Sequence, residues 1–592
     1  MTTAQLDPAT DFDLPDEIEA EIQNYEAHVR RFQRDEIDPL EFRLFRLQHG
    51  IYGQRQPDVH MIRVKIPYGG LDAEQVDMLA DIIDRYAPRR VGHLTTRQDL
   101  QMHFVPLDKT PTVMRLLSSV GLTTREACGN TVRNVTADHL SGVGPDEAFD
   151  VTPYAKAVSA HCLRLDVCQL LPRKFKPAFS ASDHDFGLVP MHDIGFVART
   201  REVDGRVERG FKVVVGGGLG AAPHLAETLD EFLPANEVAR ITEAVLTVFN
   251  ANGPRKNRNK ARIKFYIKAV GIEQFRLQVQ EALEQLPPAD DPHFRQVSEF
   301  MDLEEEAPTT APRLVRTADL PGDADFAEWK RTNLVPQTQD GFHAAYVTVP
   351  LGDLTVEQLH ALADLTREFT GGRLRITAQQ ALILRWVREQ DLADLYLRLG
   401  ELELSEPSAH QLADVMSCPG SDTCALGITS SKGLASVLRE SIIARGPEDD
   451  LVERMRIKIS GCPNSCGHHH MADIGFHGAA MHADGRLVPS FNVLIGGGAD
   501  IDGSAIARIV GKVPAKRVAD AVNLLVDDYK AGRDEGEIFR RYSERRGLKY
   551  FRGLLQPFSA PPKFTDNPLM FVDHEANKLF NLDEMGEGEC AV

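Results

Sequence analysis

The sequence predicts an α+β protein built as an internal duplicate, its two copies related by a pseudo-two-fold axis. Two long-range matches and a break between them carry this reading. Ile62–Gln75 (IRVKIPYGGLDAEQ) is repeated as Ala345–Gln358 (AYVTVPLGDLTVEQ). Farther on, Asp193-Ile-Gly-Phe196, Asp204-Gly-Arg206 and Gly216-Gly-Gly218 return as Asp473-Ile-Gly-Phe476, Asp484-Gly-Arg486 and Gly496-Gly-Gly498, all offset by 280 residues. Three matches in one register mark a repeat, not coincidence. Between the copies, a Pro- and acid-rich stretch from Pro287 to Asp325, including Glu304–Glu306, reads as an exposed linker.

Each copy opens with period-two alternation, Ile62, Val64 and Ile66 in one and Ala345, Val347 and Val349 in the other. That pattern predicts a strand with one buried face. A helix follows, with Val76, Leu79, Ile83 and Tyr86 on one face and Leu359, Leu362 and Phe369 at matching positions. A second strand is expected around Leu94–Gln98 (LTTRQ) and Ile376–Gln380 (ITAQQ). The division that follows is an N-terminal arm (1–58), a half-domain and a larger domain (59–125, 126–286), a linker (287–340), their second copies (341–405, 406–556) and a tail (557–592). The natural place for a cofactor is between the halves.

The net charge of −20 supplies no global field for nucleic acid. No apolar run is long enough to span a bilayer. Met1–Glu21 is acidic and lacks the basic and apolar regions of a signal peptide. The expected location is therefore the cytoplasm, where thiols stay reduced, and the eight cysteines need another reading than disulfides.

Four of them group as Cys418-x5-Cys424 and Cys462-x3-Cys466, in stretches rich in Gly, Pro, Asn and Ser. A cubane iron–sulfur cluster needs four thiolates brought by loops to one point, and loop amides can aim N–H groups at its sulfur atoms. A structural zinc site also takes four cysteines, but its pairs are usually separated by two to four residues, which the x5 spacing does not match. Both readings stand at this point. The repeat places Ser182 opposite Cys462 and Phe186 opposite Cys466, so only the second copy carries the thiols. Cys162 and Cys168 lack the loop context and read as buried thiols. Cys128 and Cys590 have no sequence partner, and Cys590, in a Gly/Glu-rich tail, is expected to be exposed.

The two cysteine pairs, each with Pro after its first Cys, resemble the signature of the siroheme-dependent nitrite and sulfite reductases. The resemblance covers roughly residues 60–555 and includes the duplication. It implies a nitrite/sulfite reductase-like fold with ferredoxin-like half-domains at 59–125 and 341–405. It also implies a 4Fe-4S cluster on Cys418, Cys424, Cys462 and Cys466, with Cys466 shared by the siroheme iron and Asn464 beside it. The family's basic residues match Arg97 in LTTRQ, Arg133 in Arg133-Asn-Val135, and Lys174 and Lys176 in Leu171–Lys176 (LPRKFK). Arg262 and Lys264, in the basic run 255–264, match positions that help bind the siroheme carboxylates.

The chemistry of these residues agrees. An oxyanion needs fixed cations, which Arg supplies, and protons, which a Lys with a lowered pKa can give. Strand alternation would put Lys174 and Lys176 on one face. A single Arg or Lys is ordinarily a solvated surface charge; four at matching positions are not read that way. In the second copy Gln379 stands where Arg97 does.

The expected activity is six-electron reduction of sulfite to sulfide, with nitrite reduction to ammonia as the alternative. Lys176 favours sulfite, because nitrite reductases of the family tend to have Asn there. Electrons would come from a separate ferredoxin or flavoprotein. A zinc-stabilised binding protein is the alternative of a different class. Gly216–Ala221 resembles a dinucleotide fingerprint, but a glycine run repeated with a changed continuation reads as a tight turn. His468–His470, directly after Cys466-Gly467, read as packed or hydrogen-bonded near the cluster rather than as ligands.

Overall fold

A computed structural model describes residues 12–295, 297–301, 323–500, 503–586 and 588–589. Helices α1 (Asp16–Gln33) and α2 (Pro39–Gln48) come first. Asp38 caps α2, its side chain accepting from the Leu40 and Glu41 N–H groups, with Pro39 at the first turn where no donor is needed. The expected arm packs on the half-domain core through Ile22, Tyr25 and Val29, and its end joins the sheet. β1 (Ile51–Gly53) pairs antiparallel with β2 (Val59–Val64), so the first half-domain begins before residue 59.

β3 (Gly70–Asp72) leads into α3 (Ala73–Tyr86), followed by β4 (Val91–Leu94), β5 (Leu100–Pro106) and α4 (Thr110–Ser119). The larger domain carries β6 (Thr136–Ala137), α5 (Thr152–Cys162), β7 (Pro177–Ser180), β8 (Ile194–Val203), β9 (Arg206–Val215), β10 (Glu227–Pro234), α6 (Val238–Asn252), α7 (Ile263–Val270) and α8 (Ile272–Gln285). Its sheet runs β10-β9-β8-β7-β6, with β6, β7 and β8 parallel and the rest antiparallel.

The expected linker is structured at both ends. Ala289 and Phe294 are buried. Short α9 (Ser298–Met301) follows, and α10 (Asp323–Asn333) runs into β11 (Leu334–Pro336), which pairs with β12 (Phe342–Val347). Glu304–Glu306 lie outside the described residues.

The second copy repeats the order with β13 (Asp353–Thr355), α11 (Val356–Phe369), β14 (Arg373–Ile376), β15 (Leu382–Arg388), α12 (Leu392–Glu401), β16 (Met416–Ser417), α13 (Ser431–Arg445), β17 (Ile457–Ser460), β18 (Ile474–Ala483) and β19 (Arg486–Ile495). The hairpin β20 (Gly498–Asp500) and β21 (Gly503–Ala505) precedes β22 (Arg508–Pro514). The larger sheet again reads β16-β17-β18-β19-β22.

The repeated LDAEQ and LTVEQ segments now have a physical cause. Asp72 and Gln75 form a capping box at the start of α3, and Thr355 and Gln358 form the same box on α11. The expected buried faces are present: Val76, Leu79 and Ile83 share one core with Leu359, Leu362 and Phe369 from the other copy. The two half-domains also exchange strands. The first sheet is β1-β2-β5-β4-β13 and the second is β11-β12-β15-β14-β3, so each contains one strand of the other copy.

Asp353, on exchanged β13, accepts from His93 Nδ1 at 2.7 Å and from Lys432 Nζ at 2.6 Å. Burial opposes its charge, but His93 and Lys432 overcome this and hold the carboxyl far below the usual range. Asp353→Ala is therefore expected to cost roughly 2–3 kcal/mol, read as a lower midpoint in thermal unfolding at neutral pH. A depressed carboxyl stabilises above its unfolded pKa, so the deficit relative to wild type should shrink as pH falls below about 4.

Among the described residues no helix is long and apolar enough to cross a membrane. The tail packs back on the body: Arg46 and Glu589 form a buried ion pair, and the Gly586 N–H bonds the Ala425 carbonyl in the cysteine loop at 3.1 Å. Cys590 lies outside the described residues.

Candidate active site between the two copies

β4 ends at Leu94, so Arg97 lies not on a strand, as the sequence suggested, but in the turn joining β4 to β5. The turn is closed by its own polar residues. Thr95 Oγ1 donates to Asp99 Oδ1 at 2.7 Å and accepts from the Arg97 N–H at 3.0 Å. This local bonding competes successfully with the ladder and explains why the strand stops. The next hydroxyl crosses between copies: Thr96 Oγ1 donates to the Cys466 carbonyl at 2.8 Å.

One cavity is lined by Arg97, Arg133, Lys174 and Lys176 from the first copy and by Cys418, Pro419 and Cys466 from the second. Lys174 and Lys176 flank Phe175, which is fully buried and bridges to Val132; β7 begins only at Pro177. Arg133 is anchored by Nε on the Ala127 carbonyl (2.8 Å) and Nη2 on the Tyr52 hydroxyl (3.3 Å). Arg97 is anchored by Nη2 on the Pro177 carbonyl at 2.5 Å, while its buried Nε has no partner within the protein. Burial lowers the Arg97 guanidinium to about 9, so it stays cationic at neutral pH. Lys176 is held well below the usual lysine range by burial first and then by Arg97, Lys174 and Arg262.

Asp193, which the sequence offered only as a repeat marker, organises this wall. Its carboxylate accepts Arg262 Nε and Nη2 at 2.9 and 2.6 Å and the Lys176 N–H at 2.9 Å. Arg262 is thus engaged beside the cavity rather than lining it. Lys264 Nζ donates to the carbonyls of Gly218, Leu219 and Ala222 at 3.0, 3.0 and 2.6 Å, and burial lowers it to about 7. Residues 255–262 of the basic run form a loop with a short 3-10 turn, and α7 starts at Ile263. Arg63 and Asp99, 3.6 Å apart, also line the cavity and were not singled out from sequence.

Gly216–Gly218 form a turn after β9, with no helix behind it, which removes the dinucleotide reading. A Cβ on Gly217 would meet the Pro190 and His192 carbonyls at 2.3 and 2.5 Å. Gly220 faces the Asn464 carbonyl of the opposite copy.

The four cysteines come from two loops, after β16 and after β17. The loops interlock through glycine: a Cβ on Gly461 would lie 2.5 Å from Gly420 Cα. The Gly461 N–H points at Cys418 Sγ at 3.3 Å, and the Asn464 amide donates to Cys462. Cys462 feels the charges of Cys466, Cys418 and Cys424, so all four converge, and burial pushes its thiol up. Among the described residues, no three of these thiols have sulfurs mutually within 4.8 Å. A tetrahedral zinc with bonds of about 2.3 Å would draw its sulfurs to about 3.8 Å. The Gly461 and Asn464 N–H groups aimed at Cys418 and Cys462 are the donors that the thiolates of an iron–sulfur cluster take.

His468, His469 and His470 are buried beneath this loop, and His470 Nδ1 bonds Ser465 Oγ at 3.1 Å. Cys162 and Cys168 are fully buried and adjacent; Cys128 is fully buried too. The second copy keeps a matching cavity of about 500 Å³ lined by Gln379, Arg454, Arg456 and Lys458, with Phe186 where the first has Cys466.

Residues 128–286 and 408–558 match the nitrite and sulphite reductase 4Fe-4S domain, and residues 52–120 and 335–402 match the nitrite/sulfite reductase ferredoxin-like half domain. An assimilatory ferredoxin-dependent nitrite reductase of Haloferax mediterranei is 30% identical, over 86% of this chain and 87% of its own. A ferredoxin sulfite reductase of Mycolicibacterium paratuberculosis is also 30% identical, over 82% of each chain. The solved structure of Mycobacterium tuberculosis NirA protein superposes with a TM-score of 0.73 at 27% identity, covering 90% of this chain and 97% of that one. With both domain types matched in both copies, and the cysteines and cations gathered between them, the chain belongs to the nitrite and sulfite reductase family of oxidoreductases.

Proposed function

We propose that the protein reduces sulfite to sulfide by six electrons, using a siroheme coupled to a 4Fe-4S cluster and fed by a ferredoxin. The observation that carries the substrate choice is Lys176, a second lysine in the cavity wall beside Arg97, Arg133 and Lys174. Relatives named for nitrite and for sulfite are equally similar, so the choice rests on the cavity's own charge.

The residues fit the two cofactors. Four thiols in amide-rich loops suit the cluster; Cys418 and Cys466 both line the cationic cavity, and Cys466 stands where the resemblance puts the shared ligand. Arg262 stands behind the wall on Asp193, and Asn464 lies in the cysteine loop with its N–H on Cys462. Lys264 is committed to backbone carbonyls, so it shapes the glycine turn and would need to release them to meet a carboxylate. When bound, the coupled siroheme and cluster supply single electrons to the anion.

The chain supplies the rest. Arg97 and Arg133, pinned by carbonyls and a phenol, present fixed positive charge to oxyanion oxygens without reorganising. The lowered pKa of Lys176 lets it release a proton to an oxygen leaving as water and be recharged afterwards. Sulfite is a dianion with three oxygens and needs the extra cation more than nitrite does.

Lys176→Asn should lower sulfite kcat/KM by about 100-fold and nitrite kcat/KM by less than about tenfold. Steady-state assays on both anions with one electron donor decide it. Equal losses would remove the sulfite assignment and leave the family assignment intact.

A further inference from the structure

Outside this site, one cluster brings metal-ligand chemistry together from three separate segments. His161 ends α5, Glu243 lies on α6, and His293 sits in the segment after α8. One ligand atom from each lies within 4.8 Å of the other two. Both imidazoles aim Nε2 at the same carboxylate oxygen: His161 at 2.7 Å and His293 at 2.8 Å from Glu243 Oε2. A plain ion-pair arrangement would spread two donors over two oxygens. Here both nitrogens crowd one oxygen, so the three ligand atoms lie close enough together for one ion to bind them all.

The ring positions are fixed by packing. Phe294 is buried and meets the His161 ring at 5.1 Å and the His293 ring at 4.8 Å. The His293 N–H is held by Asp291 Oδ1 at 2.8 Å. His161 and Glu243 are more than nine-tenths buried, whereas the His293 side chain is 38% exposed, which leaves an entry path and an open position.

We propose that His161, Glu243 and His293 bind one divalent transition-metal ion of the zinc class, with water completing the shell. Two imidazoles and a carboxylate are a donor set that such ions take, and hard ions such as Mg²⁺ or Ca²⁺ would want more oxygen. For an ion to bind, each ring must present Nε2 as a bare lone pair, its proton moving to Nδ1 or leaving to solvent. The ion would tie α5 and α6 to the segment that leaves the first copy. It stands apart from the four cysteines, and the proposal does not depend on the sulfite reading.

The test uses the full-length holoenzyme, stripped of loosely held metal by a mild chelator, then titrated with Zn²⁺ against a chromophoric competitor. One zinc per chain is expected beyond the iron, with an absorption edge showing nitrogen and oxygen scatterers near about 2.0–2.1 Å. Glu243→Gln keeps an oxygen for both histidines, so the fold should survive, yet it should weaken zinc at least about 100-fold. His293→Ala, at a half-exposed position, should do the same. Absence of a saturable zinc, or equal affinity in wild type and both variants, overturns the proposal. Sulfur scatterers at about 2.3 Å would also overturn it, and would instead count against the iron–sulfur reading of the four cysteines.

Discussion

Cys466→Ala is expected to lower turnover of both sulfite and nitrite by more than about 100-fold, the least that loss of a direct ligand should cost when supporting residues alone cost 10–100-fold. Cys466 lines the cationic cavity together with Cys418, and it is the one whose position matches the shared ligand of the family. Its carbonyl also receives Thr96 Oγ1 from the opposite copy, a bond alanine would keep. The variant should therefore fold, with a near-normal far-ultraviolet circular dichroism spectrum, while its iron, acid-labile sulfide and extractable tetrapyrrole fall together. Full retention of pigment and activity would refute the shared-ligand role. A colourless wild-type protein holding zinc on four sulfurs would refute the cofactor reading itself.

Arg97→Gln should lower kcat/KM for sulfite by about 100- to 1000-fold without changing iron or tetrapyrrole content. Glutamine is the residue the second copy has at this place, in a turn of the same design: Thr377 Oγ1 there accepts the Gln379 N–H at 3.2 Å. The backbone should thus tolerate the change, and the measured loss should report charge. Arg97 sits with its Nε buried and unpartnered within the protein, a state that is costly unless something else, such as a bound anion, engages the guanidinium. Arg97→Lys should recover only part of the rate, because a point charge cannot reproduce the planar fork.

The duplication, the buried faces and the four cysteines were legible because each writes a periodic or paired signal into the chain. Two kinds of feature were not. Asp193 is a lone acidic residue in sequence; only the fold shows it gripping Arg262 and the Lys176 amide. Its recurrence as Asp473, which accepts the Arg456 N–H at 2.8 Å, was the available hint. Leu94–Gln98 reads as a strand because it continues a β-prone run. Thr95 and Asp99 closed a turn instead, through side-chain bonds that propensity does not count. The ends of the linker are less legible for a related reason: Phe294 and β11 are short apolar signals inside a stretch whose average is polar.

The exchange of β3 and β13 bears on how the chain comes to exist at all. Each small sheet is completed by a strand encoded in the other half, so the protein behaves as a swapped dimer fused into one polypeptide. β3 meets its partner β14 only after roughly 300 further residues have been made, a wait of about 15–60 s at 5–20 residues per second. During that interval the nascent first half presents an unpaired edge, the kind of surface that invites aggregation. Neither half, expressed alone, has a closed sheet to fold into. Both exchanges become possible once β14 is made, before Cys418 to Cys466 emerge, so the thiol loops are laid onto half-domains that can already be joined.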